Sequence, residues 1–245
     1  GDRQSPEGFY NVGESAMNPN STYHLSFNLG FPNLFDQAHS RTGSYLMVHG
    51  NCVSIGCYAM TDTAIEEIYL IGHSEGALIG SMVSSENFNV YALIALCGTS
   101  VSLDSIVMDQ LQRFPKLVPL AQKHIDEINS GEPLSEVNPL LVALFRESVV
   151  PFLRSAFALD PAEELARVDK KVLIVGGNCD QQVPPEHAEK LHISKPDAEL
   201  LIIDQMGHTL KHVGPDCSLD RKSYTDPSMP VHPDLVGAVL KFILK

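Results

Sequence analysis

A serine, an aspartate and a histidine in this chain have the types and spacing needed for nucleophilic catalysis. Ser74 stands at the centre of a G-x-S-x-G sequence at 72–76, which follows an apolar run and precedes small, helix-forming residues. This pattern predicts a buried strand, a sharp turn and a helix. The serine hydroxyl would be lifted off the sheet edge, above the first helical N–H groups. We therefore predict that Ser74 is a nucleophile.

A serine nucleophile needs a base that takes its proton and an acid that orients the base. Asp180 follows the predicted strand 172–175, and His208 follows the next predicted strand, 199–204. On a parallel sheet of this type the chain order is serine, acid and histidine, each at the carboxyl end of a strand. Taken singly, the three residues could be a helix N-cap, a turn residue and a surface histidine. Together they predict a catalytic triad.

The elements that must position these residues alternate between apolar strands and helices from residue 68 onward. Another strand is predicted at 90–97, and helices are predicted at 75–85 and 232–244. Continuous apolar strands separated by helices predict an α/β fold with a mostly parallel sheet covered on both faces. The segment 99–170 has Leu, Val and Phe at helical spacing, which favours a helical cap forming an acyl or alkyl pocket. Extra helices packed on the sheet are the alternative.

The first 67 residues have a different character. They are rich in Asn, Ser, Gly, Tyr and Phe, with short β-like runs at 22–29 and 44–49 separated by turn signals. We therefore expect a β-rich segment at 1–67 and a separate α/β region at 68–245.

Composition limits the classes of function. The chain has 245 residues, 44% of them hydrophobic, and a mean hydropathy near zero, as expected of a soluble globular protein. No apolar run approaches the roughly 18 residues of a membrane span, and the first residues do not resemble a signal peptide. The net charge of −13, without a basic cluster, argues against binding to nucleic acid or to anionic membranes.

The cysteines form no evident framework. Their number, five, is odd, so at least one thiol is expected to be free. Cys52 and Cys57 are close enough to suggest zinc or a disulfide, but no second ligand pair follows at the spacing of a zinc site. His212, four residues after His208, is interpreted as a surface residue and Cys179 as a small packing residue. We therefore expect no metal.

Residues 68–245 resemble bacterial α/β-hydrolases of the serine esterase or lipase type. The similarity is carried by the G-x-S-x-G sequence, the Gly-Gly-x-x-Asp-x-x-Val-Pro loop at 176–184, and Met206-Gly207-His208. It implies hydrolysis of a small-molecule ester through an acyl-enzyme, without a cofactor. In that family four strands normally precede the nucleophile, and here the unlike first 67 residues stand in their place.

The N-terminal part resembles the catalytic domain of murein L,D-transpeptidases, through residues 1–10 and the His-Gly…Ser-x-Gly-Cys sequence at 49–62. The resemblance implies that Cys57 is a nucleophile, that His49 is its base, and that the substrates are peptidoglycan peptides. In that family, the opening strands should precede residue 1 and more of the chain should follow residue 69, so we expect an incomplete fragment. Exposed sheet edges are therefore expected. The whole chain is interpreted as a chimera, natural or engineered, joined near residues 66–70.

The junction could still serve the serine site. The apolar run 44–48 ends in His-Gly, which resembles the strand and loop that donate an oxyanion amide in α/β-hydrolases. We therefore expect this strand to pair with 68–72. The N–H of Glu75 and the amides around Gly50 and Asn51 would then form the oxyanion hole.

Three functional hypotheses follow. The first is a serine carboxylesterase that uses Ser74, Asp180 and His208. The second is a cysteine L,D-transpeptidase that uses Cys57 and His49. The third is an inactive chimera that forms homo-oligomers through its strand edges. For all three we expect a soluble, bacterial-like protein of the cytoplasm or periplasm.

Overall fold

The computed structural model describes residues 16–53, 56–62, 65, 68–86 and 90–245. The chain divides into two compact units. The first contains the described residues up to Ile68 together with Val90 and Tyr91, and the second contains the remainder. Among the described residues, no helix is both long and apolar enough to cross a membrane.

The described part of the first unit includes a sheet of short strands and a short helix. The strands are β1 (Met17–Ser21), β2 (His24–Asn28), β3 (Met47–His49) and β4 (Tyr58–Ala59), in the spatial order β1-β2-β3-β4. The first two pairings are antiparallel, and β3 pairs with β4 in parallel.

The short helix α1 (Leu34–Ala38) has a reciprocal cap. The N–H of Asp36 donates to Oδ1 of Asn33, and the N–H of Asn33 donates to Oδ2 of Asp36. Two N–H groups at the helix start are thereby satisfied, as in a capping box.

The second sheet carries the α/β architecture. Its strands are β5 (Ile68–His73), β6 (Val90–Leu96), β7 (Lys171–Gly177) and β8 (Glu199–Ile203), in the order β5-β6-β7-β8. Helix α2 (Glu75–Glu86) follows β5. Helices α7 (Glu186–Ser194), α8 (Asp220–Ser223) and α9 (Pro233–Ile243) follow the later strands. The β6–β7 and β7–β8 pairs are parallel, so the predicted α/β fold with a parallel sheet is confirmed.

Both faces of this sheet are buried, because successive residues of β6 and β7 contribute to two different apolar clusters. Ile94 and Val175 pack on one face with Phe242 of α9. Leu93 and Ile174 pack on the other, in a cluster completed by helices α6 and α7. The strands therefore read as continuous apolar runs rather than alternating ones. The hydroxyl of Tyr69 in β5 also donates to the backbone oxygen of Ile243, 3.1 Å away.

Helices fill the segment between β6 and β7. They are α3 (Leu103–Leu111), α4 (Val118–Ser130), a 3-10 turn (Glu147–Val149), α5 (Val150–Phe157) and α6 (Pro161–Ala166). Helices α3 to α5 have an apolar cluster of their own, which includes Leu111, Ile128 and Phe157. Leu165 of α6 instead joins the cluster on the sheet. Helices α3–α5 therefore share a core of their own, whereas α6 packs on the sheet, and a cap that forms the acyl pocket stays a prediction.

The expected pairing of 44–48 with 68–72 is wrong. Met47–His49 lies between β2 and β4, with Val48 paired to Phe27 on one side and to Tyr58 on the other. The strand that carries Ile68 belongs to the other sheet, next to β6. Because hydrogen bonds already occupy both sides of β3, the strand has no edge left for β5.

Candidate active site

Ser74 occupies a tight turn between β5 and α2. Its φ of 56° lies in the left-handed region, which non-glycine residues rarely adopt. A Cβ on Gly72 would lie 2.1 Å from the carbonyl oxygen of Gly76, so the turn can close only with glycine at 72. A Cβ on Gly76 would meet nothing within 4 Å, so of these two glycines only the first is sterically required. Backbone strain of this kind is typical of a serine nucleophile at a strand-to-helix turn.

The structure brings the three predicted residues together. Nε2 of His208 lies 3.1 Å from Oγ of Ser74, and Nδ1 of His208 lies 2.8 Å from Oδ2 of Asp180. His208 and Asp180 are each only 4% exposed. A carboxylate can only accept, so Nδ1 carries the hydrogen and the lone pair of Nε2 faces the serine hydroxyl. This is the tautomer that a general base for Ser74 requires.

The orientation of Asp180 is fixed by its own loop. Its Oδ1 accepts hydrogen bonds from the N–H of Gln182, at 2.9 Å, and of Val183, at 2.7 Å. The other oxygen is left to His208. The loop thus holds the carboxylate in the position that selects the histidine tautomer.

His73 supports the base from the opposite side, and the sequence analysis did not identify it. Its Nε2–H donates to the carbonyl oxygen of His208 at 2.8 Å, and the two ring centroids are 4.8 Å apart. Desolvation lowers the pKa of His73, and the hydrogen bond to the His208 backbone opposes that shift. In the sequence, only its position directly before Ser74 could have indicated a role for His73 in the site.

Cys97 lies beneath the acid at the end of β6. Burial raises the pKa of its thiol, and the negative charge of Asp180 raises it further. Ligand atoms of His73, Cys97 and His208 lie within 4.8 Å of one another. Both ring nitrogens of His208 already face Ser74 and Asp180, and the thiol is held in its protonated form. This donor set is therefore poorly suited to a metal.

A disulfide joins Cys179, next to the acid, to Cys217, with Cα atoms 5.2 Å apart and a sequence separation of 38. The interpretation of Cys179 as a packing residue is therefore wrong. The bond ties the loop of Asp180 to the segment that follows His208. Sequence spacing could not reveal it, because the odd cysteine count left the partner undefined.

Asp220 is a second buried acid near the triad. It is 3% exposed, and its Oδ1 has no hydrogen-bond partner among the described residues. Burial raises the pKa of Asp220, and the charge of Asp180 adds to the shift. The sequence analysis missed it, because it lies in a segment without periodicity.

The amides predicted to form the oxyanion hole, those of Gly50, Asn51 and Glu75, lie in different environments in the structure. The N–H of Gly50 donates to the carbonyl of Leu25 at 3.1 Å, and the N–H of Asn51 donates to Oδ1 of Asp62 at 2.7 Å. Both amides are used within the first unit, so their assignment to an oxyanion hole is wrong. Glu75 is the first residue of α2, where helix N–H groups lack helical acceptors, and its role stays a prediction.

The alternative cysteine site lies entirely in the first unit. Cys57 and His49 line one cavity of about 480 Å³, together with Tyr23 and Met47. Nδ1 of His49 donates to the carbonyl oxygen of Gly50 at 2.6 Å, which leaves Nε2 with its lone pair. Sγ of Cys57 lies 3.8 Å from the carbonyl oxygen of Tyr45. The structure thus places both residues at a common cavity.

Comparisons with known proteins match different parts of the chain. One stretch of 69 residues is 56% identical to YafK of Escherichia coli K12, which is named as an L,D-transpeptidase, and covers 28% of either protein. Est1E of Butyrivibrio proteoclasticus, solved with ferulic acid bound, is 22% identical, with a TM-score of 0.42 over 73% of this chain and 59% of its own. An esterase of Pyrococcus furiosus is 17% identical, with a TM-score of 0.42 over 72% and 54%.

The chain therefore spans less than two thirds of the length of these relatives. The profile of the alpha/beta hydrolase family matches residues 36–216, so its match begins within the segment that resembles L,D-transpeptidases. That match covers well over half of the sequence, and it contains the tight turn of Ser74 together with Asp180 and His208. The chain belongs to the alpha/beta hydrolase family.

Proposed function

We propose that this protein is a serine carboxylesterase that hydrolyses small-molecule esters through an acyl-enzyme. The observation that carries the proposal is the continuous contact from Oγ of Ser74 through His208 to the buried carboxylate of Asp180. Each of the three residues follows a strand of one sheet, at the carboxyl edge where α/β proteins bind ligands.

In this reaction the Ser74 oxygen attacks the ester carbonyl while Nε2 of His208 takes the hydroxyl proton. The imidazolium that forms is stabilised by Asp180 and returns the proton to the leaving alcohol. Water, deprotonated by the same nitrogen, then hydrolyses the acyl-enzyme and regenerates Ser74. The carbonyl oxygen becomes negative at each tetrahedral stage. We assign its stabilisation to the N–H of Glu75 and the positive end of α2.

Replacing the nucleophile tests the proposal directly. Ser74→Ala is expected to lower kcat on para-nitrophenyl butyrate by about 10³-fold or more. Far-UV circular dichroism and the melting temperature would show that the variant is folded. Full activity of the Ser74→Ala protein would refute the proposal.

Ser100 provides a matched control, because it is a second serine, among the described residues, whose side chain contacts a buried histidine. Its Oγ lies 3.0 Å from Nδ1 of His187, but its own N–H donates to that same nitrogen at 3.1 Å. The lone pair is therefore already used and cannot take a hydroxyl proton. Ser100→Ala should keep kcat within a few-fold, and a loss there instead of at Ser74 would identify a different nucleophile.

A second candidate function is acyl transfer by the cysteine of the first unit. The shared cavity of Cys57 and His49, with a lone pair on Nε2 of His49, favours a thiol nucleophile activated by a histidine. We propose peptidoglycan peptides as its substrates, which rests on the resemblance of the N-terminal part to murein L,D-transpeptidases. Formation of cross-linked peptide that is lost in Cys57→Ala but kept in Cys52→Ala would support it.

The third hypothesis, an inactive chimera, predicts no activity in either the ester hydrolysis assay or the peptide cross-linking assay. We interpret the chain as a chimera, and an inert assembly would turn over neither substrate. It would then elute from size exclusion as a homo-oligomer. Ester hydrolysis that depends on Ser74 would eliminate this hypothesis.

A further inference from the structure

A cavity of about 500 Å³ lies against α3 and the loop of the triad acid. We call it the arginine cavity. Its apolar wall consists of Val107, Leu111, Phe114 and Leu144. The side chains of Phe114 and Leu144 are well exposed, at 56% and 38%. An apolar group entering this space would therefore remove hydrophobic surface from water.

Two guanidinium groups line the same cavity, those of Arg113 and Arg221. Nη2 of Arg113 donates to the carbonyl oxygen of Gln181 at 3.0 Å, which fixes its position. An arginine has five N–H donors, so most of those on Arg113 remain for a ligand. Among the described residues, neither arginine forms an ion pair, although the chain carries 30 acidic residues. Their positive charge is therefore available at the cavity.

Three other polar residues of the wall, Gln110, Gln182 and Tyr224, bond to one another. The carbonyl oxygen of Gln182 accepts from Nε2 of Gln110 at 3.2 Å, and its side-chain oxygen accepts from the hydroxyl of Tyr224 at 3.0 Å. These bonds link α3, the loop of Asp180 and Tyr224 across the wall. The arginine N–H groups are the positively charged donors that a ligand would meet.

The wall also contains one acid, Asp220, whose side chain is buried. Its Oδ1 faces Gly207, because a Cβ on that glycine would lie 2.1 Å away. Burial and the charge of Asp180 raise the pKa of Asp220, which disfavours its anionic form. Gly207 precedes His208, so Asp220 also links the cavity to the base.

We propose that the arginine cavity binds the carboxylate of a ligand whose other end is apolar, and that the ester substrate carries such a carboxylate. The second clause rests on the proposed esterase function. Guanidinium groups recognise a carboxylate through paired N–H donors, and the apolar wall takes the hydrocarbon part. Gln181 and Gln182 directly follow Asp180, so a ligand held here lies beside the loop that orients the triad.

The binding site can be tested without catalysis in the Ser74→Ala protein. Isothermal titration calorimetry would compare phenylbutyrate with the neutral phenylbutyramide. The acid should bind at least about tenfold more tightly. The double variant Arg113→Gln, Arg221→Gln should remove this preference. The control Arg146→Gln, Lys190→Gln removes the same charge at exposed residues outside the cavity and should retain it.

Equal affinity for the acid and the amide would overturn the proposal, as would failure of the acid to bind. A preference that survives in the Arg113, Arg221 variant would overturn it too. Hydrolysis tests the substrate class separately, through the ratio of kcat/KM for mono-para-nitrophenyl glutarate to that for para-nitrophenyl pentanoate. This ratio should fall about tenfold in the arginine variant and stay unchanged in the control. If no ester is hydrolysed, the esterase function fails, while the calorimetry still decides the binding site.

Discussion

Removing the disulfide beside the triad acid should destabilise the second unit substantially. In Cys217→Ser the bond to Cys179, which closes a sequence separation of 38, is lost. The chain-entropy relation gives a loop-closure entropy of about −13 cal/mol/K for a loop of this length. At 25 °C this corresponds to about 4 kcal/mol of unfolding free energy, and observed values of about 2–4 kcal/mol are typical. The melting temperature should fall by about 10 °C.

The assay is urea unfolding followed by far-UV circular dichroism, because the chain contains no tryptophan. Wild type and Cys217→Ser would be compared with and without dithiothreitol. The reductant should lower the wild type to the stability of the variant and leave the variant unchanged. Cys52→Ser is the matched control, because Cys52 is an exposed cysteine outside any disulfide, and it should change stability by less than about 0.5 kcal/mol.

Two results would refute this reasoning. One is an oxidised wild type no more stable than Cys217→Ser, which would mean that the bond constrains the unfolded chain little. The other is an equal effect of reductant on both proteins, which would place the sensitivity elsewhere. Since the chain has two compact units, proteolysis should be used to establish that the transition that shifts belongs to the second unit.

Two further predictions concern groups around His208. Asp220 has a raised pKa, so its contribution to stability is present below the unfolded pKa of 3.8 and is lost as pH rises through the folded value. Asp220→Asn should therefore raise the melting temperature at pH 7, by about 2–4 °C for each kcal/mol recovered, and the gain should vanish near pH 3. A gain of equal size at both pH values would contradict this account. His73→Phe removes the donor to the His208 carbonyl, so kcat should fall about tenfold with little change in KM. His73→Gln, which can donate again, should recover part of the loss, whereas unchanged kcat in His73→Phe would show that the bond does not position the base.

The triad could be predicted because its signals are local. Ser74, Asp180 and His208 each follow a recognisable apolar strand, and parallel topology brings such positions to one edge of the sheet. The tight turn at Gly72 could also be predicted from local sequence, because it depends on the close approach of Gly72 to Gly76. Their contacts in the structure agree with the predicted placement, while their catalytic roles stay proposals.

Other features depend on partners far away in sequence. The run 44–48 is apolar and ends in His-Gly, a pattern compatible with either sheet, and only hydrogen bonds to β2 and β4 decide between them. The partner of Cys179 is 38 residues away. Asp220 is notable only because it is buried, and the sequence around it has no periodic pattern that would predict this burial. Sequence patterns therefore predicted the elements better than the neighbours that each element acquires.

The hydrogen bond between Tyr69 and Ile243 has a consequence for the order of events during synthesis. It joins residues 174 positions apart, on the nucleophile strand and on α9. The strand emerges from the ribosome early, but its cover on this face is complete only after α9 has been translated. Until then one side of the strands around Ser74 is exposed, and contacts of such long range make folding slow. Co-translational chaperone binding to the nascent second unit should therefore persist until α9 has emerged.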